Sequence, residues 1–461
     1  MALLPQLHLH TFLTISLFLL SLIFLFIRSR RRSSATNLNL PPSPPRLPII
    51  GNLHHLSSLP HRSLRELAQK YGPELMLLHL GQAPTLVVSS VNMVREILMS
   101  HDIAFSDRPK STAADILLYG CKDVGFAPYG EYWGQVRKVC VVELLSMKRV
   151  QEFQFVRDQE IAVLVDKIRQ ACLTGASVNL SDMLVAVSNN VMGRCVLGKC
   201  FVGKMELIEQ HKDALENSNY GSDSKDFVDI LLKLQHNQIL NFELTRNDIK
   251  AILADMFIGG SDTTSTVLEW LMAELMRNPN VMKKVQEEAR RVVAGKKSKI
   301  DTNDINQMEY LKCVVKETVR LHPPIPLLLP RQTTSKVGVF HIPAKTKVFI
   351  NAWAIQRDPR FWDKPEEFLP ERFMNSNFDF KGHDLQMIPF GIERRGCPGI
   401  SFGVASTEFV AANLLYWFDW KLPGDDHGGS GFGKELDMSE VNALTVTKKL
   451  PLHLVPIPYS P

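Results

Sequence analysis

Hydrophobic side chains follow two regimes along this chain. From Met1 to Ile27 no side chain is charged, and Leu13–Ile27 is almost entirely Leu, Ile and Phe. The 21 residues Leu7–Ile27 meet the length of roughly 20 that a helix needs to cross a hydrocarbon core. Arg28-Ser29-Arg30-Arg31-Arg32 follows at once, and positive charge stays on the cytoplasmic side. The pattern predicts a membrane anchor with basic stop-transfer over 1–32 and a cytosolic body. A cleaved leader would instead carry its charge ahead of the apolar run and small residues at a cleavage site. A polar stretch and the run Pro41-Pro42-Ser43-Pro44-Pro45-Arg46-Leu47-Pro48 come next. These prolines cannot continue a helix, so 33–48 reads as a stiff hinge before a body over 49–461.

In the body the periodicity changes. Short alternating runs at 75–80 and 85–89 predict strands, and a second β-like patch covers 337–350. Between and after them, helical spacing dominates: 131–147, 150–172, 180–197, 249–277, 279–294, 309–321 and 399–418. There is no internal repeat. Many helices with small separate sheets make a mainly α, α+β body.

Composition narrows the class. The chain has 461 residues, 45% hydrophobic and 22% charged, which is that of a globular protein rather than a disordered or disulfide-framework chain. The formal charge of +5 includes the four arginines at 28–32, so the body is close to neutral and a nucleic-acid partner is not indicated. Seven cysteines without a C-x-x-C pair suit a reducing compartment. The sequon Asn179-Leu180-Ser181 would stay unmodified in the cytosol.

The candidate chemistry concentrates in Pro389-Phe390-Gly391-Ile392-Glu393-Arg394-Arg395-Gly396-Cys397-Pro398-Gly399. One cysteine sits among arginines just before a helix, and both guanidinium charge and the helix N-terminus favour thiolate over thiol. Glycines allow a flat ligand to approach closely, and arginines can pair with carboxylates. The stretch resembles the haem-binding loop of cytochrome P-450 monooxygenases, F-x-x-G-x-R-x-C-x-G, with Phe390, Arg395, Cys397 and Gly399 on its fixed positions and Glu393 where the motif has its first glycine. The resemblance makes Cys397 the axial ligand of haem iron, a thiolate that favours O–O cleavage.

Three further segments resemble the family in the same order along the chain. Gly259-Gly260-Ser261-Asp262-Thr263-Thr264 is similar to the oxygen-activation segment of its long central helix, where Asp262 and Thr263 would be the acid–alcohol pair that delivers protons. A helix N-cap at Ser261 or Asp262 fits these residues equally well. Glu317-x-x-Arg320, alone usually a solvated surface pair, resembles with Arg372 of Pro370-Glu371-Arg372-Phe373 the buried cluster that supports the haem-side loop. Trp133-Gly134-Gln135-Val136-Arg137 resembles the helix that meets the haem propionates, with Arg331 a further contact.

The resemblance covers about 41–457, and the wording Ala127–Trp133 is most similar to the large plant family seventy-one. It implies an endoplasmic-reticulum enzyme, single-pass, with a cytosolic catalytic domain and haem b. Electrons would come from NADPH through a partner reductase, and O2 would be used to oxidise a small hydrophobic terpenoid, alkaloid, phenylpropanoid or coumarin. Ser111–Val124, Met256–Gly260, Ile325–Leu329 and Val441–Thr445 match its pocket-lining stretches. The family places two long helices, which roof the pocket, between Phe201 and about Ile249. Here only Val202–Asp226 precedes the resumption at Asp226-Phe227-Val228, several dozen residues too few. An alternative reading is therefore a haem-binding variant disabled by the loss of its roof.

Overall fold

A computed structural model describes residues 4–32, 39–198, 226–237, 240, 242–293, 300–333, 340–376, 378–380, 384–424 and 436–459. Most of the region expected to be shortened, 199–225, lies outside them. In chain order, helix α1 is Leu4–Arg32, α2 is Pro60–Tyr71, and strands β1 (Leu75–Leu80) and β2 (Ala83–Val88) form a hairpin. Next come α3 (Glu131–Val139), α4 (Gln154–Thr174), β3 (Val178–Asn179), α5 (Leu180–Leu197), α6 (Phe227–His236) and α7 (Arg246–Arg277). Then follow α8 (Pro279–Val293), α9 (Glu309–Leu321), β4 (Arg331–Gln332), β5 (Lys347–Ile350), α10 (Ile400–Trp417), β6 (Phe418–Lys421), β7 (Glu440–Asn442), β8 (Val446–Lys448) and β9 (His453–Pro458). Shorter helical turns connect them.

The helical half packs around α7. Its Thr245–Asp248 capping box fixes its start, and Leu268, Trp270, Leu271 and Leu275 sit in a core shared with α5, α9 and α10. Helix α5 is bounded by its own chemistry: the Asn179 side chain accepts from the Asp182 N–H, and Gly198 closes it at φ +68°. The sequon asparagine is thus an N-cap. The other half holds a sheet in the order β1-β2-β5-β4, with β2 and β5 parallel and the other pairs antiparallel. The second β-like patch is a strand only over Lys347–Ile350, and 334–339 lies outside the described residues. The single helix expected over 131–147 ends its regular turns at Val139, passes through a wider turn to Leu144, and restarts at Met147.

The Pro-rich segment lies along the body. Pro42 O accepts from Leu77 N at 2.8 Å, and Asn52 Nδ2 donates to the Pro44 and Pro45 carbonyls. Helix α1 exposes Phe12, Ile15, Leu17, Phe18 and Leu20. Among the described residues no helix is long and apolar enough to cross a membrane.

One buried ionic network ties α9 to the loop that carries Cys397. Arg320 grips Glu317 with two hydrogen bonds of 2.7 and 2.9 Å, both side chains fully enclosed. The i, i+3 spacing puts them on one face, and Arg372 adds a third bond to Glu317 at 3.0 Å. The remaining Arg320 N–H groups go to the carbonyls of Gln356, Pro365 and Glu367. Gln356 then bonds the Val319 and Arg320 carbonyls with its amide N–H and accepts from Ile388 N at 3.0 Å, two residues before Phe390. Truncating Arg320→Ala leaves Glu317 Oε2 buried without its partner, while Arg372 and Leu369 N still hold Oε1, so unfolding free energy should drop by about 3 kcal/mol, read by chemical denaturation. The loop held through Gln356 should loosen with it, and cofactor retention on gel filtration should fall in parallel.

Candidate functional site

Cys397 stands at the wall of a cavity of about 240 Å³ between α7, the 389–399 loop and the start of α10. The side chain has free surface although it lies deep in the protein, so that surface faces the cavity and not bulk solvent. Its backbone N–H donates to Phe390 O at 2.8 Å, and Gly399 N–H points at Sγ from 3.3 Å. The nearby guanidinium is Arg137, from α3, not the neighbouring Arg394 or Arg395. Burial pushes the Cys397 thiol up; the Gly399 N–H and Arg137 pull it back only in part. In the protein alone, burial thus works against the thiolate that guanidinium charge and the helix N-terminus favour.

The loop geometry accounts for the glutamate at the motif's glycine position. Glu393 adopts φ +57°, the left-handed region where a Cβ costs about 1–2 kcal/mol. The turn is kept, closed by Gly396 N to Glu393 O at 2.9 Å, at the cost of strain. Phe390 lines the cavity, its ring edge-on to Phe380.

Four arginines, Arg108, Arg137, Arg331 and Arg395, line the same cavity. Arg395 donates to the carbonyls of Ser106 and Ala127 at 2.7 Å. Burial, and then the like charge of Arg331, lower it to about 10. Arg331 bonds Ile392 O at 2.9 Å and reaches Asp102 at 3.4 Å; burial lowers it to about 10 also. Trp133 is not part of the cavity wall. Its indole N–H donates to Val124 O at 3.0 Å, and its ring lies 4.2 Å from Arg395 and 5.6 Å from Arg137. It props two guanidinium groups and has no N–H free for a ligand carboxylate. A sulfur facing inward, several cations and an otherwise apolar wall fit a flat macrocycle with one axial thiolate and two carboxylates.

Helix α7 runs unbroken through Gly259–Thr264, which removes the N-cap reading of Ser261 and Asp262. Instead Ser261, Thr263 and Thr264 each donate to the carbonyl four residues back, at 2.6 to 2.8 Å. Thr263 lines the cavity; Asp262 does not. Asp262 Oδ2 accepts from Thr445 at 2.8 Å. Of the expected pocket stretches, Val124, Met256, Gly259, Gly260, Ile325, Leu328 and Leu329 reach the cavity, whereas Val441–Thr445 does not.

Sequence reasoning missed Arg108, Asp255 and Asp123. Arg108 staples Gly125, Leu329 and Pro330 by their carbonyls. Asp255, on α7, accepts the N–H groups of Val124 and Gly125 at 3.1 Å each, holding the loop whose Val124 carbonyl serves Trp133. Burial, and then the like charge of Asp123, raise Asp255 to about 7. No local pattern marks Arg108 or Asp255, because their partners are far away in sequence, whereas Asp123 accepts from Phe126 N only three residues on, at 2.7 Å.

Comparison with known proteins agrees with this geometry. The cytochrome P450 family model matches 41–206 and 204–434. The phenylacetaldehyde oxime monooxygenase CYP71AN24 of Prunus mume is 51% identical over 96% of this chain and 94% of its own length. Cytochrome P450 71A1 of Persea americana is 48% identical over 88% and 91%. Cytochrome P450 71AP13 of Prunus mume is 40% identical over all of this chain and 98% of its own. That last alignment runs over 517 positions against 461 residues, so 56 positions have no counterpart here. The two pieces of the family match meet at 204–206, inside the segment that reads as shortened.

Two substitutions test the site's energetics. The carboxyl of Asp255 is raised from 3.8 to about 7, so its contribution to stability is complete below pH 4 and lost as pH rises through 7. Asp255→Asn removes that titration; relative to the parent it should gain on the order of 2–3 kcal/mol between pH 5 and pH 8, read as thermal midpoints at both. A parallel pH dependence of the two proteins would place the titration elsewhere. Glu393→Gly exchanges backbone strain for chain entropy and should raise stability by about 0.5 kcal/mol, measured by denaturant midpoint with the same cofactor content.

Proposed function

The chain belongs to the cytochrome P450 family and is a monooxygenase of the plant 71 type, and we propose that it is a membrane-anchored oxidase of a small hydrophobic plant metabolite. The observation that carries this is Cys397, its free surface turned into an arginine-walled cavity, with Thr263 on the same wall. Haem bound there supplies the activation of O2 that no protein side chain can perform. Cys397 would hold its iron, and Arg137, Arg331, Arg395 and the additional Arg108 would receive its carboxylates. Trp133 keeps Arg137 and Arg395 in place through its ring. Thr263 and Asp262 manage the protons. Val124, Met256, Ile325 and Leu329 exclude water and receive an apolar substrate.

The exposed Phe and Leu side chains of α1 and the arginines after them support a single-pass anchor in the endoplasmic reticulum with the body in the cytosol. Electrons then come from NADPH through a membrane-bound reductase. The name of the Prunus mume oxime monooxygenase is in keeping with an aromatic or otherwise small lipophilic substrate. The terpenoid, alkaloid, phenylpropanoid and coumarin classes remain the field to screen. The 56 missing positions favour one second reading, a haem-binding form without turnover.

Expression of the whole chain in microsomes, followed by the reduced carbon-monoxide difference spectrum, tests these readings. A red-shifted, thiolate-type Soret band should appear and should be lost in Cys397→Ala. An unchanged spectrum in that variant overturns the assignment of Cys397. Given the band, NADPH- and reductase-dependent loss of a lipophilic compound establishes the oxidase; a band without turnover of any screened class establishes the disabled form.

A further inference from the structure

Asp262 sits on α7 with its carboxylate turned away from the cavity, and the group that meets it comes from the far end of the chain. Thr445, in the turn between β7 and β8, is buried and donates its hydroxyl to Asp262 Oδ2 at 2.8 Å. The same hydroxyl lies 3.0 Å from that of Thr266. Since the Thr445 proton is committed to the carboxylate, Thr266 is the donor in that second bond. Asp262 and Thr266 are i and i+4, neighbours on one face of a helix, and the Thr445 oxygen is shared between them.

The turn that presents Thr445 is fixed independently. One helical turn beyond Thr266, Trp270 Nε1 donates to Val446 O at 2.9 Å. Val446 N donates to Pro324 O, and Lys448 N to Glu269 Oε2. At the outer end of the hairpin, Glu440 is held by His61 and Arg62 of α2. Thus Asp262, Thr266 and Trp270, spaced four apart, each bond Thr445 or Val446. A side chain held so firmly from outside the helix does not choose its own rotamer. Its neighbour Thr263 needs no such support, because its hydroxyl is satisfied by Gly259 O within α7.

We propose that Thr445 is a positioning residue for proton delivery: it sets the orientation of the Asp262 carboxylate and so decides how faithfully O2 reduction ends in substrate oxidation. The proposal rests on the monooxygenase reading above. Thr445 touches neither cavity nor cofactor site and acts only through Asp262. When proton delivery is mistimed, O2 takes two electrons from NADPH and two protons and leaves as hydrogen peroxide, so the fault reads as peroxide released per NADPH oxidised.

The test compares Thr445→Val, which keeps the shape and removes the donor, with Thr445→Ser, which restores it. Asp262→Asn and the double variant complete the set, all as full-length holoenzyme with reductase and with the carbon-monoxide spectrum as the folding control. Thr445→Val should raise the peroxide fraction at least threefold, Thr445→Ser should restore it, and Thr445→Val should add nothing in the Asp262→Asn background. In the resting protein, without turnover, the infrared carboxylate bands should differ between parent and Thr445→Val and not between Asp262→Asn and the double variant. If Asp262→Asn leaks and Thr445→Val does not, or if the two effects simply multiply, the proposal is wrong. If Asp262→Asn itself does not leak, the failure lies in the proton-delivery reading on which it rests. Should Thr445→Val lose the Soret band, Thr445→Ala takes its place as the variant without the donor, and the same outcomes decide.

Discussion

Burying guanidinium groups around a cavity is the constraint from which most of this site follows. A buried cation without water must find fixed acceptors, and Arg108, Arg331 and Arg395 find carbonyls. Those oxygens belong to Ser106, Gly125, Ala127, Leu329, Pro330 and Ile392, in three stretches separated by up to hundreds of residues. Hydrogen bonds to a charged group contribute about 1.5–3 kcal/mol each, so the arginines act as cross-links between the loops that wall the cavity. The cations pull the loops in, and the loops keep the cations dry.

Desolvation also sets the electrostatic character of the cavity. It lowers Arg331 and Arg395 only to about 10, which leaves them charged at neutral pH. It raises Asp255 and the Cys397 thiol, which drives the acidic groups toward their neutral forms. The protein alone is therefore left with excess positive charge facing an apolar space. A ligand that brings two carboxylates and a metal able to displace the thiol proton relieves both imbalances at once. Trp133 belongs to this balance, because its ring stacks against two of the cations and its N–H is spent on Val124 O.

What could be read from the sequence was whatever lies within one turn of a helix or one loop. Glu309–Leu321 was legible to the residue because its apolar stripe has helical spacing and begins and ends within it. Glu317 and Arg320 were legible as a pair, but their burial was not, since the enclosing carbonyls lie 36 to 47 residues away. Gln356, Arg108 and Asp255 carry no local signature at all. The expected helix at 131–147 failed at its end because apolar residues continue through the wider turn at 140–144. The N-cap reading of Asp262 failed because Thr245 and Asp248 already supply the cap seventeen residues earlier. Thr445 was expected at the pocket and bonds the back of α7 instead; a turn's direction is set by its contacts and not by its composition.

The flanks of the segment 199–225 bear on which parts of the enzyme can vary independently. The segment 199–225 is flanked by Gly198, which closes α5, and Asp226, which caps α6 by accepting from Asp229 N. These two flanks touch: a Cβ on Gly198 would come within 2.5 Å of Asp226 Oδ2. The two ends of the segment thus lie side by side. A segment whose ends are already together can change length with little effect on what it joins, since loop closure entropy varies only slowly with length. Beyond the junction the core resumes at once, with Phe227 buried edge-on against Phe153 and Val228, Ile230 and Leu231 enclosed behind it. Cys397, the arginines, the Glu317 network and the Thr445–Asp262 contact all lie on elements that the junction does not interrupt. The length of the joining segment can therefore vary while the machinery around the thiolate keeps its own supports.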